Sequence, residues 1–192
     1  MQTTGLIFDF FGVLCREVRG ALIAEYAKSQ VATIAIHSAF DSADDGYAPI
    51  EALYAACAEA TGKRADEIQA FLLSAAVINT DLFGYIEQLH KQYRIALCSN
   101  APTGLVEGIL NARALTHHFD HICISSALHV RKPSLEIFRH VLNEMHAHPQ
   151  EVIFVDDNQA NIDAAQTLGI QGIVHLSTEE TMHALQSRSV GI

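Results

Sequence analysis

The sequence predicts an α/β fold in which a parallel sheet is covered by helices on both faces. Five short apolar runs recur along the chain: Leu6–Phe8, Arg94–Cys98, His121–Ile124, Val152–Val155 and Gly172–His175. Continuous apolar runs of this length fit strands buried on both faces. Helical patterns separate them, and alternating strand and helix means right-handed crossovers in a layered sheet. Two of the runs end on carboxylates, Asp9 and Asp156-Asp157. Open α/β sheets gather their reacting groups there, beyond the carboxyl ends of the strands.

Taken in order, the first run meets a turn at Gly12. Residues 16–80 then break the alternation and read as helix: Ala21–Ile36, Pro49–Thr61 and Ala65–Ser74, with a polar turn from Asp41 to Gly46 between the first two. This Ala-rich segment has no convincing strand. It reads as a small helical cap over the mouth of the sheet, which divides the chain into a core of residues 1–15 and 81–192 and a cap of residues 16–80. The Ala21–Ile36 helix suits its own bundle better than a twin, so monomer and homodimer both stay open. Further on, Pro133–Met145 places Leu135, Phe138, Val141, Leu142 and Met145 on one face. Pro133 fits a first helical turn, where its missing N–H costs nothing. Asp163–Leu168 closes at Gly169, a glycine C-cap.

Length and composition set bounds. A chain of 192 residues with 49% apolar content can bury a real core as one domain with an insert. Its formal net charge of −10 argues against nucleic acid, which demands clustered Lys and Arg. No run of 18 apolar residues exists, and the first residues lead straight into a strand without a basic or apolar leader. Cys15, Cys57, Cys98 and Cys123 form no C-x-x-C pair and read as buried, inert thiols. These features predict a cytoplasmic chain without membrane partners.

Four groups fall at predicted strand ends: Asp9, Ser99-Asn100, Lys132 and Asp156-Asp157. Parallel strands would bring all four to one edge. Asp9 with Asp156 or Asp157 can hold Mg²⁺, which prefers hard oxygen ligands. Ser99 offers a hydroxyl and an N–H to a phosphate, and Lys132 a point charge. Asp9 could attack phosphorus, and phosphoryl transfer is mostly positioning and charge neutralisation. Each residue also has a plainer reading. Asp9 could form a turn before glycine, Ser99-Asn100 could cap a helix, and Lys132 could be a surface lysine. Adjacent carboxylates after four buried apolar residues, however, repel unless a cation sits between them. His117-His118 and His146 with His148 read as surface imidazoles, because acidic or Cys partners are missing.

Phe8-Asp9-Phe10-Phe11-Gly12-Val13-Leu14, Cys98-Ser99-Asn100, Arg131-Lys132-Pro133 and Val155-Asp156-Asp157-Asn158 with Asn161, in that order, resemble the four motifs of the haloacid dehalogenase-like (HAD) hydrolase superfamily. The resemblance spans residues 5 to about 175 and looks nearest to the small sugar-phosphate phosphatases and the amino-terminal phosphatase domains of epoxide hydrolases. It implies a Rossmann-like parallel sheet flanked by helices, with an all-helical cap inserted after the first strand. It further implies a Mg²⁺-dependent phosphatase acting on a small phosphorylated metabolite through an aspartyl-phosphate. In that scheme Asp9 is the nucleophile, and Asp9, the Phe11 carbonyl and Asp157, with or without Asp156, hold the metal. Ser99 and Asn100 seat the phosphate, and Lys132 steadies Asp9 and the transferring group.

Phe11 departs from that pattern. Most phosphatases of the superfamily carry a second aspartate two residues after the nucleophile, where it protonates the leaving group and later activates water. A backbone ligand survives the change to Phe11, but the acid/base does not, and such a loss typically costs about 10²–10⁴ in rate. His129, His37, Asp41, Asp44 and Asp45 are candidate substitutes. Two other readings follow: a catalytically impaired relative that binds a phosphate ligand or a protein, and a metal-independent dehalogenase, whose superfamily members also carry an aromatic at this position. The retained acidic pair favours the metal-dependent phosphatase.

Overall fold

The computed structural model describes residues 2–191 of the chain. Five strands, β1 (Gly5–Phe8), β2 (Arg94–Ser99), β3 (His121–Ile124), β4 (Val152–Asp156) and β5 (Gln171–Val174), form one sheet in the order β3-β2-β1-β4-β5. Every pairing is parallel, as the apolar runs predict. β1 lies in the middle, pairing Gly5–Phe8 with Arg94–Leu97 on one side and with Val152–Val155 on the other.

Side chains alternate across the sheet with period two and feed two cores. Leu6, Phe8, Ile95, Leu97, Ile153 and Val155 point to one face. Ile7, Ala96, Cys98, Val152 and Phe154 point to the other. All of these are fully buried, which explains why the strands read as unbroken apolar runs.

Four helices follow β1: α1 (Val18–Tyr26), α2 (Gln30–Asp44), α3 (Ile50–Thr61) and α4 (Ala65–Ala75). The expected single helix Ala21–Ile36 is in fact two. Ser29 is extended, and its hydroxyl accepts from the Ala32 N–H at 3.1 Å, so a new helix is capped there. The unbroken Ala-rich stretch hides that cap. The expected turn from Asp41 to Gly46 is likewise corrected. Asp41 and Asp44 belong to the last turn of α2, and the chain turns only at Asp45 and Gly46. Acidic side chains at a helix carboxyl end oppose its dipole, but the Arg19 guanidinium offsets this, 3.0 Å from Asp41 and 2.6 Å from Asp44.

The remaining helices are α5 (Thr80–Leu89), α6 (Leu105–Ala112), α7 (Ser125–Leu128), α8 (Leu135–Glu144), α9 (Gln159–Thr167) and α10 (Thr178–Ser187). α8 starts later than Pro133. Ser134 is non-helical and its hydroxyl accepts from Glu136 N–H, so Pro133 lies outside the helix. Of the apolar face expected for this helix, Phe138, Val141, Leu142 and Met145 are buried in the second core, but Ile137 takes the place of Leu135, which stays half-buried at the first turn. The four cysteines are free and buried, and burial pushes their thiols up, to about 12 for Cys15 and Cys123 and about 11 for Cys57. No helix among the described residues is long and apolar enough to cross a membrane.

Candidate active site

β1 ends at Phe8 and delivers Asp9, whose N–H donates to the Val155 carbonyl of β4 at 2.9 Å. The loop beyond is tight: the N–H groups of Leu14 and Cys15 donate to the Phe10 carbonyl, and Gly12 stands at φ +90°. A Cβ on Gly12 would overlap the Asp157 carboxylate. The first and last acidic strand ends therefore touch at a residue that has no side chain.

Lys132 joins them. Its ammonium lies 2.7 Å from Asp9 Oδ1 and 2.7 Å from Asp156 Oδ2, with the lysine side chain 1% exposed. Asp156 also accepts from the Asn161 side-chain amide, at 3.0 Å to each oxygen, and from Asn158 N–H at 2.8 Å. Burial opposes the charge on Lys132, but Asp9 and Asp156 outweigh it and hold its pKa above that of an ordinary lysine. Burial pushes Asp9 up to about 7 against the pull of Lys132, and Asp156 adds to the rise. Asp9 Oδ1 also accepts from Phe10 N–H at 2.7 Å, whereas Oδ2 receives no hydrogen bond from the described residues.

The donor set suits a hard cation. Carboxylate oxygens of Asp9, Asp156 and Asp157 lie within 4.8 Å of one another, and the Phe11 carbonyl accepts no hydrogen bond from the described residues. Among those residues this is the only such cluster; His117, His118, His146 and His148 gather no third ligand, and of these imidazoles, expected at the surface, His118 is buried against the Leu115 carbonyl. The mutual repulsion argued from sequence is largely met at Asp156 by Lys132 and Asn161. Asp157 has no such partner. It is exposed, and its pKa is raised by partial burial and by Asp156.

Ser99 and Asn100 reach the same edge but behave differently. Ser99 Oγ is buried without a hydrogen-bond partner. The Asn100 side chain is committed to the Lys132 main chain, donating to its carbonyl at 2.9 Å and accepting from its N–H at 2.8 Å. It positions Lys132, and only the Asn100 backbone is left for an anion.

A cavity of about 390 Å³ opens above Asp9 and Lys132. Phe11 lines it, as do Arg19 of α1, Asp41 and Asp44 of α2 and Arg131 from the loop before α8. Arg131 lies 3.1 Å from Asp45, so the loop and the α2 end are tied together. Asp44 is 4% exposed. Burial pushes its carboxyl up to about 7, against the pull of Arg19 and Arg131 and helped by Asp41 and Asp45. His37 and His129 do not line the cavity. His129 is exposed, with its ring beside the Asp45 carbonyl. Arg19 had no motif to announce it, because its partners lie 22 and 25 residues away.

A family model described as haloacid dehalogenase-like hydrolase matches residues 61–175, more than half of the chain. The sesquiterpene phosphatase astK of Aspergillus oryzae is 44% identical over 59 residues, 31% of this chain and 30% of its own. The D-ribitol-5-phosphate phosphatase of Bacteroides thetaiotaomicron is 31% identical over 93 residues, 45% of each chain. The chain spans less than half the length of either relative. The solved structure of the HAD family enzyme bt-2542 of Bacteroides thetaiotaomicron, in complex with magnesium and inorganic phosphate, superimposes with a TM-score of 0.80 at 23% identity, over 95% of this chain and 98% of that one. The family match takes in the loops of Ser99, Lys132 and Asp156-Asp157 and the elements between them, and this chain belongs to the haloacid dehalogenase-like hydrolase family.

Proposed function

We propose that the chain is a Mg²⁺-dependent phosphohydrolase acting on a small, polar phosphorylated metabolite. The observation that carries this reading is the approach of the Asp9, Asp156 and Asp157 carboxylates to within 4.8 Å around the buried Lys132 ammonium. Asp9, Asp157 and the Phe11 carbonyl would hold the ion, with Asp156 serving chiefly to fix Lys132. Bound magnesium supplies charge neutralisation to the phosphoryl oxygens.

Asp9 Oδ2 is the free oxygen of the carboxylate and attacks phosphorus, giving an aspartyl-phosphate that water then cleaves. Lys132 holds Oδ1 and so fixes the orientation of the attacking carboxylate. Ser99 Oγ has no partner in the protein, and a phosphoryl oxygen would satisfy it. The helices of residues 16–80 act as a cap over the cavity, and its charged lining suits a polar substrate better than a terpenoid. The free buried thiols suit a cytoplasmic enzyme.

Phosphate release from p-nitrophenyl phosphate tests the reading. Turnover is expected with Mg²⁺, and it should be lost in EDTA and in Asp9→Asn. Phe11 in the cavity favours a second reading, a silent relative that only binds phosphate. Tight phosphate binding without turnover would establish that reading, and halide release in EDTA would establish a dehalogenase.

A further inference from the structure

Phe11 leaves the proposed phosphohydrolase without a proton donor on the nucleophile loop, and the same cavity offers one from another element. We propose that Asp44, at the carboxyl end of α2, serves as the general acid and base of the reaction, in the place that Phe11 vacates. This rests on the phosphohydrolase reading above.

Four observations carry it. Asp44 lines the cavity shared by Asp9, Phe11 and Lys132, whose volume lies near the lower end of ligand pockets (roughly 300–1,000 Å³). A small ester seated on Asp9 therefore reaches its walls. Asp44 is also the most buried carboxyl among those of the inserted helices that line this cavity, at 4% exposed, while the Asp41 side chain is 51% exposed and spent on Arg19 and Arg131.

Its geometry is fixed as well. Oδ2 accepts from Arg19 at 2.6 Å, while Oδ1 has no hydrogen bond from the described residues and is not among the fully buried atoms. One oxygen is anchored and the other is free. The Asp44 carbonyl accepts from Ser125 Oγ at 2.6 Å, and Gly46 lies so close to Ser126 and His129 that a Cβ would collide with both. The end of α2 is thus seated on α7, with Asp44 in the cavity lining that Asp9 and Lys132 share. The charged groups facing Asp44 are Arg19, Asp41, Arg131 and Asp45, and with burial they bring its carboxyl near neutrality, where a group can both give and take a proton.

The protons balance. When Asp9 Oδ2 bonds to phosphorus and the ester P–O bond breaks, the departing alkoxide takes the Asp44 proton and leaves as the alcohol. In the second step water attacks phosphorus and the Asp9 oxygen leaves. The Asp44 carboxylate takes the water proton, and phosphate is released with both aspartates restored.

The test compares p-nitrophenyl phosphate with phenyl phosphate, whose leaving group is less acidic and depends more on protonation. Asp44→Asn keeps an acceptor for Arg19 and should lower kcat on phenyl phosphate by about 10²-fold or more, while p-nitrophenyl phosphate turnover changes much less. The double variant F11D/D44N should restore phenyl phosphate turnover. In the wild type kcat/KM should fall as pH rises through about 7. That limb should vanish in Asp44→Asn and move to higher pH in Arg19→Gln, because the guanidinium holds the carboxyl down. Equal losses on both esters, no loss on either, or an unmoved limb in Arg19→Gln would overturn the assignment of Asp44 and leave the phosphohydrolase standing. A wild type inert toward both esters with Mg²⁺ would overturn both.

Discussion

Gly12 sits where the Asp9 loop meets Asp157, at a positive φ that L side chains rarely adopt and with no room for a Cβ. Gly12→Ala is expected to displace Asp157 and lower Mg²⁺-dependent turnover by about 10²-fold, the typical cost of a misplacement on the order of 1 Å; magnesium titration by calorimetry would show the matching loss of affinity. Lys132→Met should act on stability instead. It leaves Asp9 and Asp156 buried without their cation, at a cost of about 3–5 kcal/mol in metal-free chain, readable as a shift in the urea midpoint. Phe11→Asp should raise turnover of alkyl phosphates more than that of p-nitrophenyl phosphate, and a uniform change would show that protonation is not what Phe11 removes. At this scale the sequence was legible wherever chemistry sits at a strand end. Asp9 and the 156/157 pair need only a local apolar run to place them, whereas Lys132 lies beyond α7, in the loop before α8, and not directly after β3. Arg19 and the binding of Asn100 to the Lys132 main chain depend on partners far along the chain, and no spacing rule reaches them.

The strands were legible as elements because each is a short run buried on both faces. The helices after β1 were legible in kind but not in extent. Ser29 divides one apparent helix into two, and a single serine within an Ala-rich stretch is a weak signal until its hydroxyl is seen on Ala32 N–H. Ser29→Ala should destabilise the chain by about 1 kcal/mol, a change that equilibrium urea unfolding resolves. The Asp41–Asp44 turn of α2 read as a loop because it belongs to a polar run closed by Gly46, and as helix its carboxylates oppose the dipole. Their compensation comes from Arg19 and Arg131, which are not neighbours in sequence.

For the whole molecule, a cation that binds only the folded chain must stabilise it. Magnesium at about 100 times its dissociation constant should add about 2.7 kcal/mol, seen as a higher Tm that EDTA reverses and Asp157→Asn abolishes. Asp44 imposes a pH dependence of the opposite kind to a surface acid. Its folded pKa stands above the ordinary 3.8, near 7. Between those values the folded chain keeps a proton that the unfolded chain has released, so the stability it contributes is present in acid and is lost as pH rises toward 7. The Tm difference between wild type and Asp44→Asn, followed from pH 4 to pH 8, should shrink accordingly.

The central place of β1 in the sheet has a consequence for biosynthesis. The strand is made before β4, and one of its two hydrogen-bonding edges has no partner until Val152–Val155 has been translated. Until then the nascent chain carries a fully apolar strand with a bare flank, a ready template for wrong pairings. Holdase chaperones should therefore crosslink to stalled chains that end before residue 152, and release those extended past β5.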